Sequence, residues 1–139
     1  MGTMTIRFES VSKQFRDGTV AVRDFSLAVP SHRTVALVGS SGSGKSTLLR
    51  MINRMVDPTG GRVLIDDVDV QAMAPVALRR SIGYVLQSGG LLPHRTVLDN
   101  IATVPVLNGV SRRQARLAAR ELLERVGLPQ SVGPRYPAV

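Results

Sequence analysis

The sequence contains no cysteine among its 139 residues. This absence excludes disulfide bonds and thiolate metal sites, and it is compatible with a reducing cytosol. Aromatic residues make up only 4% of the chain, so the stacking surfaces typical of single-strand-binding proteins are poorly supplied. No apolar run reaches the roughly 18 residues needed to cross a bilayer. The first residues show neither a secretory signal pattern nor a myristoylation motif, so we expect neither.

Negative charge is also scarce, because ten Asp and Glu residues face eighteen Lys and Arg residues, for a formal net charge of +8. Only Lys13 and Lys45 are lysines. A basic chain can bind nucleic acid, anionic lipid or a nucleotide. The basic residues are spread along the whole chain, however, so we expect a generally basic surface and no nucleic-acid partner. The 43% of hydrophobic residues suits a soluble globular domain.

Alternating apolar and polar residues predict half-buried strands at 4–11 and 20–29, joined by a turn at Asp17-Gly18. The short apolar runs TVALVG (34–39) and SIGYVLQ (81–87) predict two further strands, each buried on both faces. RVLI (62–65) predicts another strand, and Pro75 opens a short helix. The helix that follows the first apolar run has a predicted inner face formed by Leu48, Leu49, Ile52 and Met55.

Two polar pairs predict helix starts near the end of the chain, namely Thr96 with Asp99 and Ser111 with Gln114. The second of these helices is expected to end at Gly127. Its predicted apolar side is formed by Ala115, Ala118, Leu122 and Val126. A strand-rich start followed by strand–helix–strand–helix predicts an α/β protein.

Residues 39–46, GSSGSGKS, match the phosphate-binding pattern G-x-x-x-x-G-K-[ST] at every fixed position. Glycines permit backbone angles that let successive N–H groups surround a phosphate, and the helix N-terminus adds partial positive charge. Lys45 would reach the β- and γ-phosphates, the Ser46 hydroxyl would ligate Mg²⁺, and Thr47 would meet the α-phosphate. The predicted nucleotide-binding residues of the loop are Gly39, Ser40, Ser41, Gly42, Ser43, Gly44, Lys45, Ser46 and Thr47.

Essentially the whole chain resembles the ATP-binding subunits of ABC transporters. TIRFESVSKQFRDGTVAVRDFSLAV is similar to their N-terminal β-subdomain, which implies that Phe15 stacks on adenine and that Val20 packs beside the base. SIGYVLQSGGLLPHRTVLDNI resembles their glutamine loop, which implies that Gln87 approaches Mg²⁺ and the attacking water. The same resemblance implies that residues 88–110 meet a transmembrane permease subunit, and that His94 is structural or interfacial.

Two stretches are most similar to importers of osmoprotectants such as glycine betaine, carnitine, choline or proline: INRMVDPTGGRVLIDDVDV and LPHRTVLDNIATVPVLNGVS. Importers of polar amino acids and of polyamines share much of the sequence of these two stretches. VLIDD (63–67) looks like a Walker B strand with Asp67 as general base. It follows the phosphate loop too soon, however, and aligns with the family's IDG turn in the β-subdomain, so we reject that interpretation.

The resemblance implies a P-loop NTPase fold of the ABC type, with an N-terminal antiparallel β-subdomain and an incomplete parallel core. We expect the β-subdomain at about 1–33 and 62–70, and the phosphate-loop strand and helix at 34–61. The glutamine-loop strand is expected at 82–87, and the start of the helical subdomain at 88–129.

In this family a phrase like RYP (135–137) leads into the signature segment, whereas this sequence ends at Val139. The signature motif, the Walker B glutamate, the D-loop and the switch histidine are not in the sequence, so no catalytic residue is assigned. We therefore expect the chain to bind Mg-ATP at most and not to hydrolyse it. A parallel strand without neighbours leads us to expect self-association.

The leading hypothesis is thus an ATP-binding subunit of an importer, paired with a second such subunit on the inner face of the cell membrane. One alternative is a small self-contained P-loop kinase, whose lid would use Arg112, Arg113, Arg116 and Arg120. Another is a non-catalytic basic interaction or nucleic-acid-binding module. Phosphoryl transfer would favour the kinase, and salt-sensitive binding that survives Lys45→Ala would favour the module.

Overall fold

The computed structural model describes residues 4–87 and 89–137. The first three residues of the expected 1–33 subdomain and the first residue of the expected 88–110 contact region lie outside these ranges. The chain divides into two compact units, residues 1–83 and 84–139. The first contains strands and helices in the order β1 (Ile6–Gln14), β2 (Val20–Val29), α1 (Lys45–Ile52), β3 (Gly60–Ile65), β4 (Val68–Asp69) and α2 (Pro75–Ser81). The second contains α3 (Val97–Ile101), α4 (Thr103–Leu107) and α5 (Arg112–Arg125).

The first unit is built on one antiparallel sheet with the strand order β2-β1-β3-β4. The centre of the sheet is β1, in which Phe8 pairs with Leu27 on one side and with Val63 on the other. The hairpin between β1 and β2 turns at Gly18, whose φ is +86°, and the Thr19 amide donates to the Asp17 carboxylate at 2.9 Å. The strands predicted at 4–11 and 20–29 and their turn are therefore confirmed, although β1 begins two residues later and ends three residues later than predicted.

The core of the first unit lies between this sheet and helices α1 and α2. Phe8 and Phe25 meet edge to face with ring centroids 5.6 Å apart. The buried residues of α1 are Leu48 and Met51, whereas Leu49 is 46% exposed and Met55 is 59% exposed. The predicted inner face of this helix was therefore half wrong. The helix ends at Ile52, so Met55 lies beyond its last turn. There the Met55 amide donates to the Arg50 carbonyl, a spacing that differs from that of a regular α-helix.

The VLIDD stretch forms the β3–β4 hairpin and not a parallel strand. Asp66 and Asp67 both have positive φ, at +48° and +63°, as a two-residue hairpin turn of the primed kind requires. The Asp66 carboxylate accepts from the Thr5 amide at 2.7 Å, and Asp67 pairs with Arg7 at 2.6 Å. Asp67 is thus a turn residue of the antiparallel sheet, as its alignment with the family's IDG turn implied.

The two predicted buried strands, residues 34–39 and 82–87, are not formed. Neither segment forms a strand or joins a sheet in the described part of the chain, and Val38 and Val85 are 93% and 96% exposed. A short apolar run becomes a strand only when neighbours accept and donate its ladder hydrogen bonds. The sheet of the described residues is antiparallel and ends at β2 and β4, so the prediction of two strands inside a parallel core is wrong for this chain.

The second unit packs α3 against α5, around Leu98, Ala119 and Leu123. Both predicted caps are confirmed, because the Thr96 hydroxyl accepts from the Asp99 amide and the Ser111 hydroxyl accepts from the Gln114 amide. The start of α3 is also bound by a distant segment. Amides of Val97 and Leu98 donate to the carbonyls of Arg135 and Gly133, at 2.8 and 3.1 Å.

The buried face of α5 differs from the predicted one by one position. Ala115, Ala119 and Leu123 are buried, while Leu122 and Val126 are 45% and 69% exposed. The sequence offers two adjacent apolar stripes on this helix, and the contact with Leu98 of α3 selects the other one. No helix of the described residues is long and apolar enough to traverse a bilayer.

Candidate phosphate-binding site

The loop of residues 39–44 takes its shape from two glycines with left-handed backbone angles, Gly42 at φ +81° and Gly44 at φ +87°. Space around Gly42 is open, whereas a Cβ atom at Gly44 would collide with the carbonyl oxygen of Ala21 and press on Val22. Because only glycine has no Cβ, Gly44 lets the end of the loop lie directly against β2. The loop and the start of α1 are therefore fixed to the sheet at this point.

The Lys45 ammonium lies inside the loop. Its Nζ donates to the carbonyl oxygens of Gly39 and Ser40, at 2.7 and 2.6 Å, and to the Ser43 hydroxyl at 3.0 Å. These three bonds match the three N–H donors of an ammonium. No carboxylate of the described residues lies within 4 Å of Nζ, so the positive charge has no protein counter-charge and can attract a phosphate oxygen.

The amide groups at the start of α1 supply further donors. Among the described residues no acceptor is found for the backbone N–H groups of residues 44–47. The first turn of this eight-residue helix contains no acidic side chain, and Gly44 provides no side-chain cap. Unpaired amides at a helix N-terminus, together with the helix dipole, form a favourable place for an anion.

Phe15 and Val20 lie on the β1–β2 hairpin of the same unit. The Phe15 amide and carbonyl close the hairpin by bonding to Thr19 and Gly18, at 2.8 and 3.0 Å. The two side chains are 41% and 45% exposed. Val20 directly precedes Ala21, the residue against which Gly44 packs. The hairpin thus presents two accessible apolar side chains next to the strand that holds the phosphate loop.

The predicted metal ligands lie in different units. Ser46 is exposed and Thr47 half-buried on the first turn of α1, whereas Gln87 is exposed in an irregular segment of the second unit. Both predicted ligands are oxygen donors, which suits Mg²⁺. No cluster of three or more His, Asp or Glu residues is found in the described ranges. An ion here would depend on phosphate oxygens and water, the usual manner for Mg²⁺.

The second unit carries a cavity of about 600 Å³ between α3, α4 and α5. Its wall includes His94, Arg95 and Arg112, and the pair of Arg116 with Asp99. The Arg116 guanidinium donates twice to the Asp99 carboxylate, at 2.8 Å each, and Thr96 adds a third bond. These bonds hold the pKa of Asp99 below its ordinary value. One carboxylate against three guanidinium groups leaves the cavity basic.

Three contacts of the site were not predicted. The sequence gives no sign that Gly44 touches Ala21 or that Arg116 reaches Asp99, because both contacts depend on how distant segments pack. Lys13 lies with Nζ 5.4 Å from the ring centroid of Phe15. Phe15 lies just beyond the end of β1, so the regular alternation of side chains along a strand gives no signal for this last contact.

A family model described as "ABC transporter" matches residues 22–135. The chain belongs to the ABC transporter family. Among solved structures, the dimeric bacterial ABC transporter cassette MJ0796 matches with a TM-score of 0.86 and 30% identity, over 95% of this chain and 61% of that chain. A post-hydrolysis state of the same cassette, bound to ADP and Pi, matches with a TM-score of 0.85 and 27% identity, over the same shares. The predicted P-loop NTPase fold of the ABC type is confirmed.

Curated relatives of this ABC family member include ATP-binding proteins of several transport systems. The carnitine transport ATP-binding protein OpuCA of Listeria monocytogenes is 44% identical over 95% of this chain. The choline transport ATP-binding protein OpuBA of Bacillus subtilis is 39% identical, and the glycine betaine uptake system ATP-binding protein YehX of Escherichia coli is 41% identical, again over 95% of this chain. This chain spans only 33%, 35% and 42% of their respective lengths.

Proposed function

We propose that this chain is the ATP-binding part of an ABC importer for osmoprotectants or related quaternary amines, and that it binds Mg-ATP at residues 39–47. The observation that carries the proposal is the convergence of donors at the start of α1. The Lys45 ammonium has no opposing carboxylate, and the amides of residues 44–47 have no acceptor in the described part of the chain. The transport systems named for the relatives support the class of transported solute.

In this proposal the loop carries the phosphates and the hairpin carries the base. Lys45 exchanges its bonds with the carbonyls of Gly39 and Ser40 for bonds with the β- and γ-phosphates. Ser46 provides a hydroxyl oxygen to Mg²⁺, and Thr47 contacts the α-phosphate. Phe15 stacks on adenine and Val20 packs against its edge, since both side chains are exposed on the strand pair that Gly44 contacts. Gln87 is proposed as a further ligand of the ion.

We also propose that the chain by itself does not hydrolyse ATP. A water that attacks the γ-phosphate needs a base that positions it. No carboxylate of the described residues lies within 4 Å of Lys45. Asp57, the acid nearest in sequence to Lys45, lies 3.5 Å from the Arg54 Nε atom, and the turn acids Asp66 and Asp67 are bonded to Thr5 and Arg7. Release of inorganic phosphate above the rate of a Lys45→Ala sample would contradict this part of the proposal.

The second unit is proposed as the contact with the transmembrane permease subunits, through residues 88–110. The basic cavity between α3, α4 and α5 supports this assignment, because it offers a concave surface with an excess of guanidinium groups. Such a contact would hold the chain at the cytoplasmic face of the membrane. We further propose pairing with a second ATP-binding subunit, and self-association through the exposed apolar segments at 34–39 and 82–87.

The test of nucleotide binding is a thermal unfolding experiment with and without saturating Mg-ATP. A ligand at a hundred times its dissociation constant stabilises the folded state by about 2.7 kcal/mol. For a chain of this size that corresponds to a shift of several degrees. We expect the shift in the wild type and not in Lys45→Ala. Arg80→Ala, which removes an exposed cation on α2, is the matched control and should keep the shift.

A wild type that melts cooperatively and shows no shift would refute ATP binding by this chain. A shift that survives in Lys45→Ala would refute the assignment of the loop. Phosphate transfer from ATP to a small metabolite would instead favour a kinase.

A further inference from the structure

The ring of Phe15 is accompanied by a fixed positive charge. The Nζ atom of Lys13 lies over this ring, 5.4 Å from its centroid, within the range at which an ammonium is attracted by an aromatic face. The ring itself is 41% exposed, while Lys13 is half-buried. The ammonium therefore lies over one face of the ring, and the Phe15 side chain stays partly open to solvent.

The ammonium is held in this place by the chain segment that follows α1. Lys13 Nζ donates to the carbonyl oxygen of Asp57 at 2.7 Å. That segment is in turn bound to β1, because the Thr59 amide donates to the Ser12 carbonyl at 2.8 Å and the Thr59 hydroxyl accepts from the Gln14 amide at 3.1 Å. A lysine whose ammonium has no hydrogen-bond partner samples many rotamers, whereas the ammonium of Lys13 is held in place by its hydrogen bond to Asp57.

We propose that Lys13 is a positioning residue for base recognition, which presents the open face of the Phe15 ring to the adenine. This inference rests on the proposed binding of ATP. The ammonium occupies one face of the ring, so a base can stack only on the opposite face. The charge also draws the π-electron density of the ring toward itself. This lowers the repulsion between the electron-rich faces of the ring and of a purine stacked on it.

The inference separates base recognition from phosphate recognition. If Lys13 acted as one more cation for the phosphates, its removal would weaken every polyphosphate. If it acts through the ring of Phe15, its removal weakens ATP and leaves a polyphosphate without a base unaffected. If it only fastened the segment at residues 57–59, its removal would lower stability and leave the relative affinities unchanged.

The experiment measures dissociation constants of Mg-ATP and Mg-tripolyphosphate by calorimetry for the full chain. The variants are Lys13→Met, Lys13→Gln, which keeps an N–H donor for the Asp57 carbonyl, and Lys13→Arg, which keeps the cation. Arg80→Gln serves as control for the loss of one positive charge. Each variant is repeated with Phe15→Leu, which preserves an apolar side chain and removes the ring, so that the coupling of the two residues is measured directly.

We expect Lys13→Met and Lys13→Gln to weaken ATP roughly two- to fivefold, as for an exposed cation–π contact, with no change for tripolyphosphate. Lys13→Arg and Arg80→Gln should bind ATP like the wild type, and the Lys13 effect should vanish beside Phe15→Leu. Equal losses for ATP and tripolyphosphate, an effect that persists beside Phe15→Leu, or unchanged or tighter ATP binding would overturn the inference alone. A wild type that binds neither ligand would overturn the proposed function, and this inference with it.

Discussion

Replacing Gly44 by alanine is expected to damage the phosphate loop far more than replacing Gly42 by alanine. Both residues have left-handed backbone angles of nearly the same size, +87° and +81°. A Cβ atom at Gly42 meets nothing within 4 Å, whereas one at Gly44 collides with the main-chain oxygen of Ala21. The pair thus isolates the cost of the contact with β2 from the cost of the backbone angle.

The magnitudes follow from these two terms. An alanine in the left-handed region costs roughly 1–2 kcal/mol, and this is the whole expected loss for Gly42→Ala. At Gly44 the backbone of β2 or of the loop must also move, and overpacking of this kind adds roughly 1–3 kcal/mol. We therefore expect Gly44→Ala to lower the free energy of unfolding by roughly 2–5 kcal/mol in total.

The assay is urea unfolding followed by circular dichroism, because the chain contains no tryptophan to report by fluorescence. The midpoint for Gly44→Ala should lie clearly below that for Gly42→Ala, with similar slopes for both. The Mg-ATP shift should be reduced more strongly in Gly44→Ala than in Gly42→Ala. Equal midpoints for the two variants would mean that the loop does not lie against Ala21 and would refute the reasoning.

Two further predictions concern the second unit. Leu123→Ala should lower the free energy of unfolding of α5 by roughly 2–5 kcal/mol, because Leu123 is buried, and hydrogen exchange of the α5 amides measures this loss. Leu122→Ala should lower it much less, because Leu122 is 45% exposed. The reverse order would favour the buried face that was predicted from the sequence. Arg116→Met should lower the free energy of unfolding only slightly, since both partners of its pair with Asp99 are partly exposed, and high salt should shrink the difference between the two proteins. Because the folded-state pKa of Asp99 is lowered, this contribution is fully present above the unfolded pKa and is lost as the pH falls through the folded one; a wild-type advantage that grows on acidification would contradict it.

Local signals were sufficient for several parts of the fold. The turn at Asp17-Gly18 and the caps at Thr96 and Ser111 depend on residues within a few positions of each other, and all three are formed as predicted. The phosphate loop was recognised from eight consecutive residues, and its helix begins at Lys45. In such places the side chain that stabilises the backbone and the backbone it stabilises are neighbours in the sequence.

Burial was predicted less well, because it depends on partners that a local pattern does not contain. Val38 and Val85 belong to runs that would be buried inside a parallel sheet, yet they are exposed since no described strand pairs with them. Helix α5 carries two apolar stripes, and only the position of Leu98 decides that Leu123 is inside. The shifts of register along β1 likewise place Lys13 beside Phe15 and Asp57 in a way that no spacing rule specifies.

The beginning of α3 is secured by residues almost forty positions later. The carbonyls of Gly133 and Arg135 accept hydrogen bonds from the amides of Leu98 and Val97. These bonds connect residues 133–135 to the start of α3 and so join the two ends of the second unit. A displacement of the chain after Arg135 would therefore be transmitted through these two hydrogen bonds to the first turn of α3, which lies beside the basic cavity. A change in the conformation of a segment that follows Arg135 would thus alter the position of α3 and, with it, the proposed permease contact.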